Sequence, residues 1–276
     1  MSHPRASGDA RHPVLARRLG TADAVVLGLA AMIGAGVFGA FAPAAGAAGA
    51  GLLLGLGIAG VVAFANATSS AQLAAQFPAS GGTYVYGRER LGPWWGFVAG
   101  WGFVVGKTAS LAAMAMTFGA YVAPGRERAA ALGAVVALTL VGYRGVTRTA
   151  RTARFLLAVV VGALAVAVAA GLLGGPPRTT GLGIETLDQV GWYGVLQSAG
   201  LLFFAFAGYA RVATLGEEVR DPARTIPRAI VLSLGLAAAV YTGVAVMLLA
   251  VLGPSGIAEH ADPIAAAVRA STWGWA

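Results

Sequence analysis

The sequence predicts an all-α, polytopic membrane protein, and three observations carry that expectation. Of 276 residues, 58% are hydrophobic and only 11% charged, against roughly 25% charged residues in an ordinary soluble domain. Apolar runs of about 20 residues, the helix length that crosses roughly 30 Å of hydrocarbon, recur along almost the whole chain. The arginines fall between those runs, and alternate loops hold most of them.

Taken in order, residues 1–20 are polar, contain Pro4 and Pro13, and read as a disordered cytoplasmic tail. Residues 21–276 read as one transmembrane domain. Its first span covers residues 22–43. A cleaved signal peptide is the minor alternative there, since Arg17 and Arg18 precede the apolar stretch and the small residues Ala44 to Ala50 mimic a cleavage region. Further spans are expected at 50–73, 93–121, 129–143, 155–174, 192–215 and 229–252, and an eighth begins near 263. The fourth is short, with soft boundaries. With the N-terminus inside, the inner segments hold Arg5, Arg11, Arg17, Arg18, Arg88, Arg90, Arg144, Arg148, Arg151, Arg154, Arg220, Arg224 and Arg228. The outer segments hold only Arg126, Arg128 and Arg178, so the N-terminus is expected to be cytoplasmic.

Composition removes several function classes. There is no cysteine, and His3, His12 and His260 all lie outside the spans. Thiolate chemistry and an intramembrane metal or hydrolase centre therefore have no residues to use, and no metal or cofactor is expected. A net charge of +8 would suggest a nucleic-acid partner in a soluble protein. Here topology accounts for it, so the expected partners are lipid and a small molecule.

Two spans are not ordinary hydrophobic helices. The first carries Gly34, Gly36 and Gly39 within IGAGVFG, and each glycine in a helix interior costs about 1 kcal/mol relative to alanine. Close packing through small residues is one explanation, and Gly51 and Gly55 in the second span suit it as well. The sixth span is interrupted within LLFFAFAGYARVAT, where aromatics lead into Ala207 and Gly208; a packing stripe is the alternative there. Spans one and six open two successive groups of five. Paired breaks at corresponding positions point to a binding site between inverted repeats. N–H groups freed along Ile33, Gly34, Ala35 and Gly36 would face a carboxylate with a helix dipole behind them. Carbonyls freed near Phe204, Ala205, Ala207 and Gly208 would accept from an ammonium.

At these residues the chain resembles the amino acid–polyamine–organocation superfamily of permeases. IGAGVFGAF (Ile33 to Phe41) is similar to the family's glycine-rich first-helix motif. FPASGGTYVYGRERLGPWWGFVAGW (Phe77 to Trp101) is similar to its first cytoplasmic loop and third-helix entry, and FFAFAGYARVATLGEEVRDPARTIPRAI (Phe203 to Ile230) to its sixth helix and following loop. The resemblance covers about residues 18–276. It implies a five-plus-five inverted repeat with broken helices 1 and 6, working by alternating access on an amino acid or amine. Family members normally have around twelve spans, so the second repeat is incomplete here and the chain is expected to be a fragment. Phe204 aligns with the family's gating aromatic, and the loop bearing Glu217 and Glu218 with a cytoplasmic gate; a plain solvated loop is the equal alternative.

Within the spans the ionisable residues are Lys107 and Arg211, with Asp23 at an edge. A cation at a helix centre costs about 2.5 to 3.5 kcal/mol on insertion scales, so such residues usually face a cavity. Arg211 is close enough to the cytoplasmic end to snorkel. Lys107 lies some 13 residues, about 20 Å, from either end of its span. By approximate alignment with the third helix of the family it resembles, it is expected to face the substrate cavity, either as a structural ammonium or as a coupling group whose burial makes its protonation responsive. Pro227 is expected to start the seventh helix. Some proton-coupled relatives carry a lysine in the fifth span, and this fifth span has no ionisable residue. Proton coupling is preferred, with sodium coupling and exchange open. A channel would need a continuous polar lining, and a non-transporting scaffold would need neither break nor mid-span lysine.

Overall fold

The computed structural model describes residues 19–77, 81–143, 146–174 and 191–271. Among these, every regular element is helical, apart from one isolated bridge between Leu19 and Val219. The first span is built from α1 (Thr21–Met32), α2 (Ala35–Gly39) and α3 (Phe41–Ala48). Ala40 keeps helical angles, and its N–H donates to the Gly36 carbonyl at 3.1 Å, so the chain passes from α2 to α3 without leaving the helical region. At Gly49 the backbone enters φ 51°, ψ −120°, a region open to glycine. A 3-10 turn then turns the chain into α4 (Leu52–Gln76).

The short helix α5 (Thr83–Leu91) leads through Gly92, at φ 103°, into α6 (Pro93–Val122), which starts with proline at its first position. Next come α7 (Glu127–Tyr143) and α8 (Val146–Leu173). The sixth span is α9 (Trp192–Phe206), a 3-10 turn over Ala207–Tyr209, and α10 (Ala210–Ala213). The seventh is α11 (Pro222–Val251), followed by α12 (Gly253–Glu259) and α13 (Pro263–Ala270).

Six of the seven expected spans match helices long and apolar enough to cross a membrane, and the chain is a multi-pass membrane protein. The fourth, α7, has 17 residues, about 25 Å at 1.5 Å per residue, shorter than a typical hydrocarbon core. Two boundaries differ from the sequence reading. The seventh helix starts at Pro222, where the missing N–H costs nothing, and Pro227 lies inside it. Residues 263–270 form a separate eight-residue helix that stops where Ser271 turns extended, so a continuous eighth span does not begin there among the described residues. The expected tail falls almost wholly outside the described residues.

Burial concentrates where α4, α9, α11 and α1 meet. On α4 the buried alanines Ala59, Ala63, Ala67 and Ala71 recur every four residues, so one face of the helix is smooth and neighbouring backbones approach closely. Gly55 continues that face: a Cβ there would lie 2.7 Å from Ser198 Oγ. Packing is the use made of this glycine, as expected.

At one end of the bundle two backbone hydrogen bonds fasten the chain. The Leu19 N–H donates to the Glu218 carbonyl at 3.1 Å, and the Arg220 N–H to the Leu19 carbonyl at 2.9 Å. This ties the start of span one to the loop after span six. At the same end, Tyr86 of α5 donates its hydroxyl to the Ala213 carbonyl.

Candidate functional site

The helix of span one opens at Ile33 and Gly34. Ile33 closes α1 by donating its N–H to the Leu29 carbonyl at 2.7 Å, and Gly34 then donates to Met32, two residues back, at 3.0 Å. A new helix starts at Ala35, and the first N–H groups of a helix have no intrahelical acceptor.

Span six is tightened rather than unwound. The Ala207 N–H is shared between the carbonyls of Phe203 and Phe204, and the Ala210 N–H between those of Ala207 and Gly208. The expected set of freed carbonyls thus already accepts bonds along its own strand of backbone. The Ala205 carbonyl gains a partner from another helix: it accepts from the hydroxyl of Tyr241 on α11 at 3.0 Å, and the same hydroxyl lies 2.7 Å from the Met32 carbonyl at the break in span one. One phenol therefore joins the two interruptions. It carries a single proton, so it donates to one carbonyl at a time. The Phe206 ring holds it in an edge-on contact, 5.0 Å between centroids.

The glycines divide by use. A Cβ on Gly36 would sit 2.5 Å from the Cα of Ala205, and one on Gly208 would sit 2.3 Å from the Ala31 carbonyl oxygen. These two let spans one and six touch at their interruptions, and they have no room for a ligand between them. A Cβ on Gly34 would meet nothing within 4 Å. Gly34 borders a cavity of about 310 Å³, lined further by Phe38, Met114, Thr117, Phe118, Tyr121 and Val160. A second cavity of about 200 Å³ is lined by Gly39, Ala40, Pro43, Ala113, Thr117, Leu201 and Phe204. The two share Thr117 on α6, whose hydroxyl would stand 2.8 Å from a Cβ on Gly39.

Of the residues expected at a site, Ile33 and Ala205 are buried in the core and Ala207 is half-buried. Ala35 contributes backbone at the start of α2. Phe204 borders the second cavity, while Phe203 packs on the core. Lys107 borders neither cavity. It is exposed, against the expected burial, and its ammonium stands 5.7 Å from the Phe103 ring centroid. At 100° per residue it shares a helical stripe with Met114 and Phe118, but about 10 Å short of Met114 along the axis. Arg211 is exposed and donates to the Thr214 hydroxyl at 3.4 Å. Glu217 and Glu218 are half-buried in the loop before α11, and the tie to span one there uses the Glu218 main chain.

Sequence reasoning did not single out Tyr241, Thr117, Phe38, Met114, Phe118 or Tyr121. Tyr241 had a usable signal, since a phenol in mid-span needs a hydrogen-bond partner. The cavity-lining residues of α6 had none beyond helical spacing.

Comparison with known proteins bears on this geometry. A family model described as amino acid permease matches residues 23–269. An uncharacterized transporter of Mycobacterium tuberculosis is 60% identical over 261 residues, covering 95% of this chain and 59% of the relative. The branched-chain amino acid permease BcaP of Bacillus subtilis is 26% identical over 95% of this chain and 60% of its own. Cationic amino acid transporter 4 of Homo sapiens is 26% identical over 85% of this chain and 41% of its own. The chain thus spans about three-fifths of the length of the first two of these relatives.

Proposed function

The chain belongs to the amino acid permease family, and on that premise we propose that it serves secondary active transport of amino acids or related amines across the cytoplasmic membrane, by alternating access. The observation that supports this reading is the opening of span one at Gly34 onto a 310 Å³ cavity, with the start of a new helix beside it. A substrate carboxylate at that helix start would take the N–H groups that have no intrahelical acceptor. Non-helical backbone at membrane depth persists only where protein, water or ligand satisfies it. Tyr241 does so on the carbonyl side, which leaves the N–H side to a ligand.

The proposal extends to five elements. The spans form a five-plus-five inverted repeat with its interruptions in spans one and six. The N-terminus is cytoplasmic, from the arginine distribution. Phe204 gates the substrate from the second cavity. Glu217 and Glu218 belong to an inner gate. Transport is proton-coupled, with Lys107 as the coupling group because it is the one lysine in the chain and shares a stripe with the cavity-lining Met114 and Phe118.

A panel of radiolabelled amino acids in proteoliposomes, with and without proton and sodium gradients, tests the function. Uptake that follows the proton gradient supports the proposal; uptake that needs internal amino acid instead indicates an exchanger. Binding without movement indicates a membrane segment that does not transport by itself. Lys107→Arg, which keeps the charge but does not release a proton in a useful range, should bind substrate yet lose proton-driven uptake. Normal gradient-driven uptake by that variant removes Lys107 from coupling.

A further inference from the structure

Resting on the reading of Gly34 as the ligand side of the broken span, we infer that the substrate is a neutral amino acid whose side chain is apolar and of leucine to phenylalanine size. The side chains around the 310 Å³ cavity are Phe38, Met114, Phe118 and Val160, with two polar ones, Thr117 and Tyr121. Both polar groups are already engaged. The Thr117 hydroxyl donates to the Ala113 carbonyl at 2.9 Å. The Tyr121 hydroxyl donates to the Phe38 carbonyl at 3.2 Å. The wall therefore offers a substrate side chain no charge and no idle hydroxyl proton.

Against this apolar wall a charge without a partner is strongly disfavoured, and an unpaired hydroxyl or amide less so. Nearby charges add to the discrimination. The adjoining compartment, which shares Phe38 and Tyr121 with this one, is bordered by Arg269. Asp262 already pairs with that arginine at 2.9 Å. A lysine or arginine side chain entering the cavity would meet this arginine in the adjoining compartment and, among the residues that line the two, no carboxylate.

Size points the same way. About 310 Å³ lies at the lower end of small-molecule pockets, room for one amino acid, and its Met114 and Phe118 side is open, these residues being 41% and 46% exposed. Met114 and Phe118 bring a flexible thioether and a flat ring, which adapt to branched, thioether or aromatic side chains alike. The site would rank substrates by apolar bulk, not by hydrogen-bonding pattern. Hydrophobic pockets separate neighbours differing by one methylene only about 10- to 200-fold.

The test is equilibrium binding of labelled leucine, phenylalanine, lysine and glutamate to the chain in lipid nanodiscs, with Gly34→Val, Met114→Glu and the parent side by side. Leucine and phenylalanine should bind at least about 100-fold more tightly than lysine or glutamate. Met114→Glu places a carboxylate in the cavity and should raise lysine binding at least about tenfold relative to leucine, a gain that misfolding does not produce. Lysine or glutamate binding as tightly as leucine in the parent, and abolished by Gly34→Val, overturns the substrate class and leaves the site standing. Leucine binding untouched by both Gly34→Val and Met114→Glu overturns the site itself. Absence of binding for all four, in a monodisperse and fully helical sample, overturns both.

Discussion

Tyr241→Phe removes one oxygen and leaves the ring, so the edge-on contact with Phe206 at 5.0 Å survives and only the joint between the two interruptions is lost. The hydroxyl stands 2.7 Å from the Met32 carbonyl and 3.0 Å from the Ala205 carbonyl, and the residue is 1% exposed. Interhelical hydrogen bonds in membranes average only about 0.6 kcal/mol, because the groups find other partners when one is removed. Here that route is restricted. Met32 keeps a second donor, the Gly34 N–H at 3.0 Å, whereas Ala205 is buried and packed against Gly36. One buried carbonyl left without its side-chain donor sets the cost at about 1 to 3 kcal/mol. By the scaling for soluble domains, that lowers the unfolding midpoint by about 2 to 10 °C. Thermal unfolding in detergent, followed by tryptophan fluorescence, reads the shift. Tyr241→Leu, which removes the ring as well, should fall further. A Tyr241→Phe midpoint within about 1 °C of the parent refutes the joint.

Three other outcomes are expected. With no native cysteine, single cysteines at Arg126 and Arg148 probed by an impermeant thiol reagent in whole cells should label at 126 and not at 148, and the reverse pattern would invert the topology. Gly36→Val should lower thermal stability by several degrees because its side chain would run into the Ala205 backbone, while Gly34→Val should leave the midpoint near that of the parent and weaken ligand binding; equal midpoints would show that Gly36 is not a packing glycine. Phe204→Ala should speed substrate dissociation more than Phe203→Ala, which should act on stability instead because Phe203 packs on the core; equal off-rates would leave Phe204 without a gating role.

The spans were legible because a length of apolar sequence is a property of the segment alone, and hydrocarbon demands it whatever the neighbours do. The interruption at Gly34 was legible for a similar reason, since glycines in a helix interior carry a local cost. Which glycine serves packing and which borders a cavity depends on the facing residue: Ala205 lies 169 positions beyond Gly36 and Ala31 lies 177 positions before Gly208. Tyr241 escaped notice because its two acceptors are 209 and 36 residues away. Lys107 illustrates the converse. Its mid-span position was plain in the sequence, but the face of α6 that closes on Gly34 starts at Met114, two turns later, and only packing fixes where that face begins. At the start of α11, two prolines stood within one short segment, and Pro222 rather than Pro227 took the first turn because Asp221 adopts a left-handed conformation just before it.

The backbone tie between Leu19 and the Glu218 to Arg220 segment uses no side-chain atom. Replacing any of these residues by alanine leaves both of its hydrogen bonds intact, so a scan of side chains would pass over it in silence. Only a change to the peptide groups themselves severs it: proline at position 220 deletes one donor, and an ester in place of the Leu19 amide deletes the other. The start of span one and the loop after span six are thus yoked by a fastening nearly indifferent to sequence drift, and they would swing as one lever.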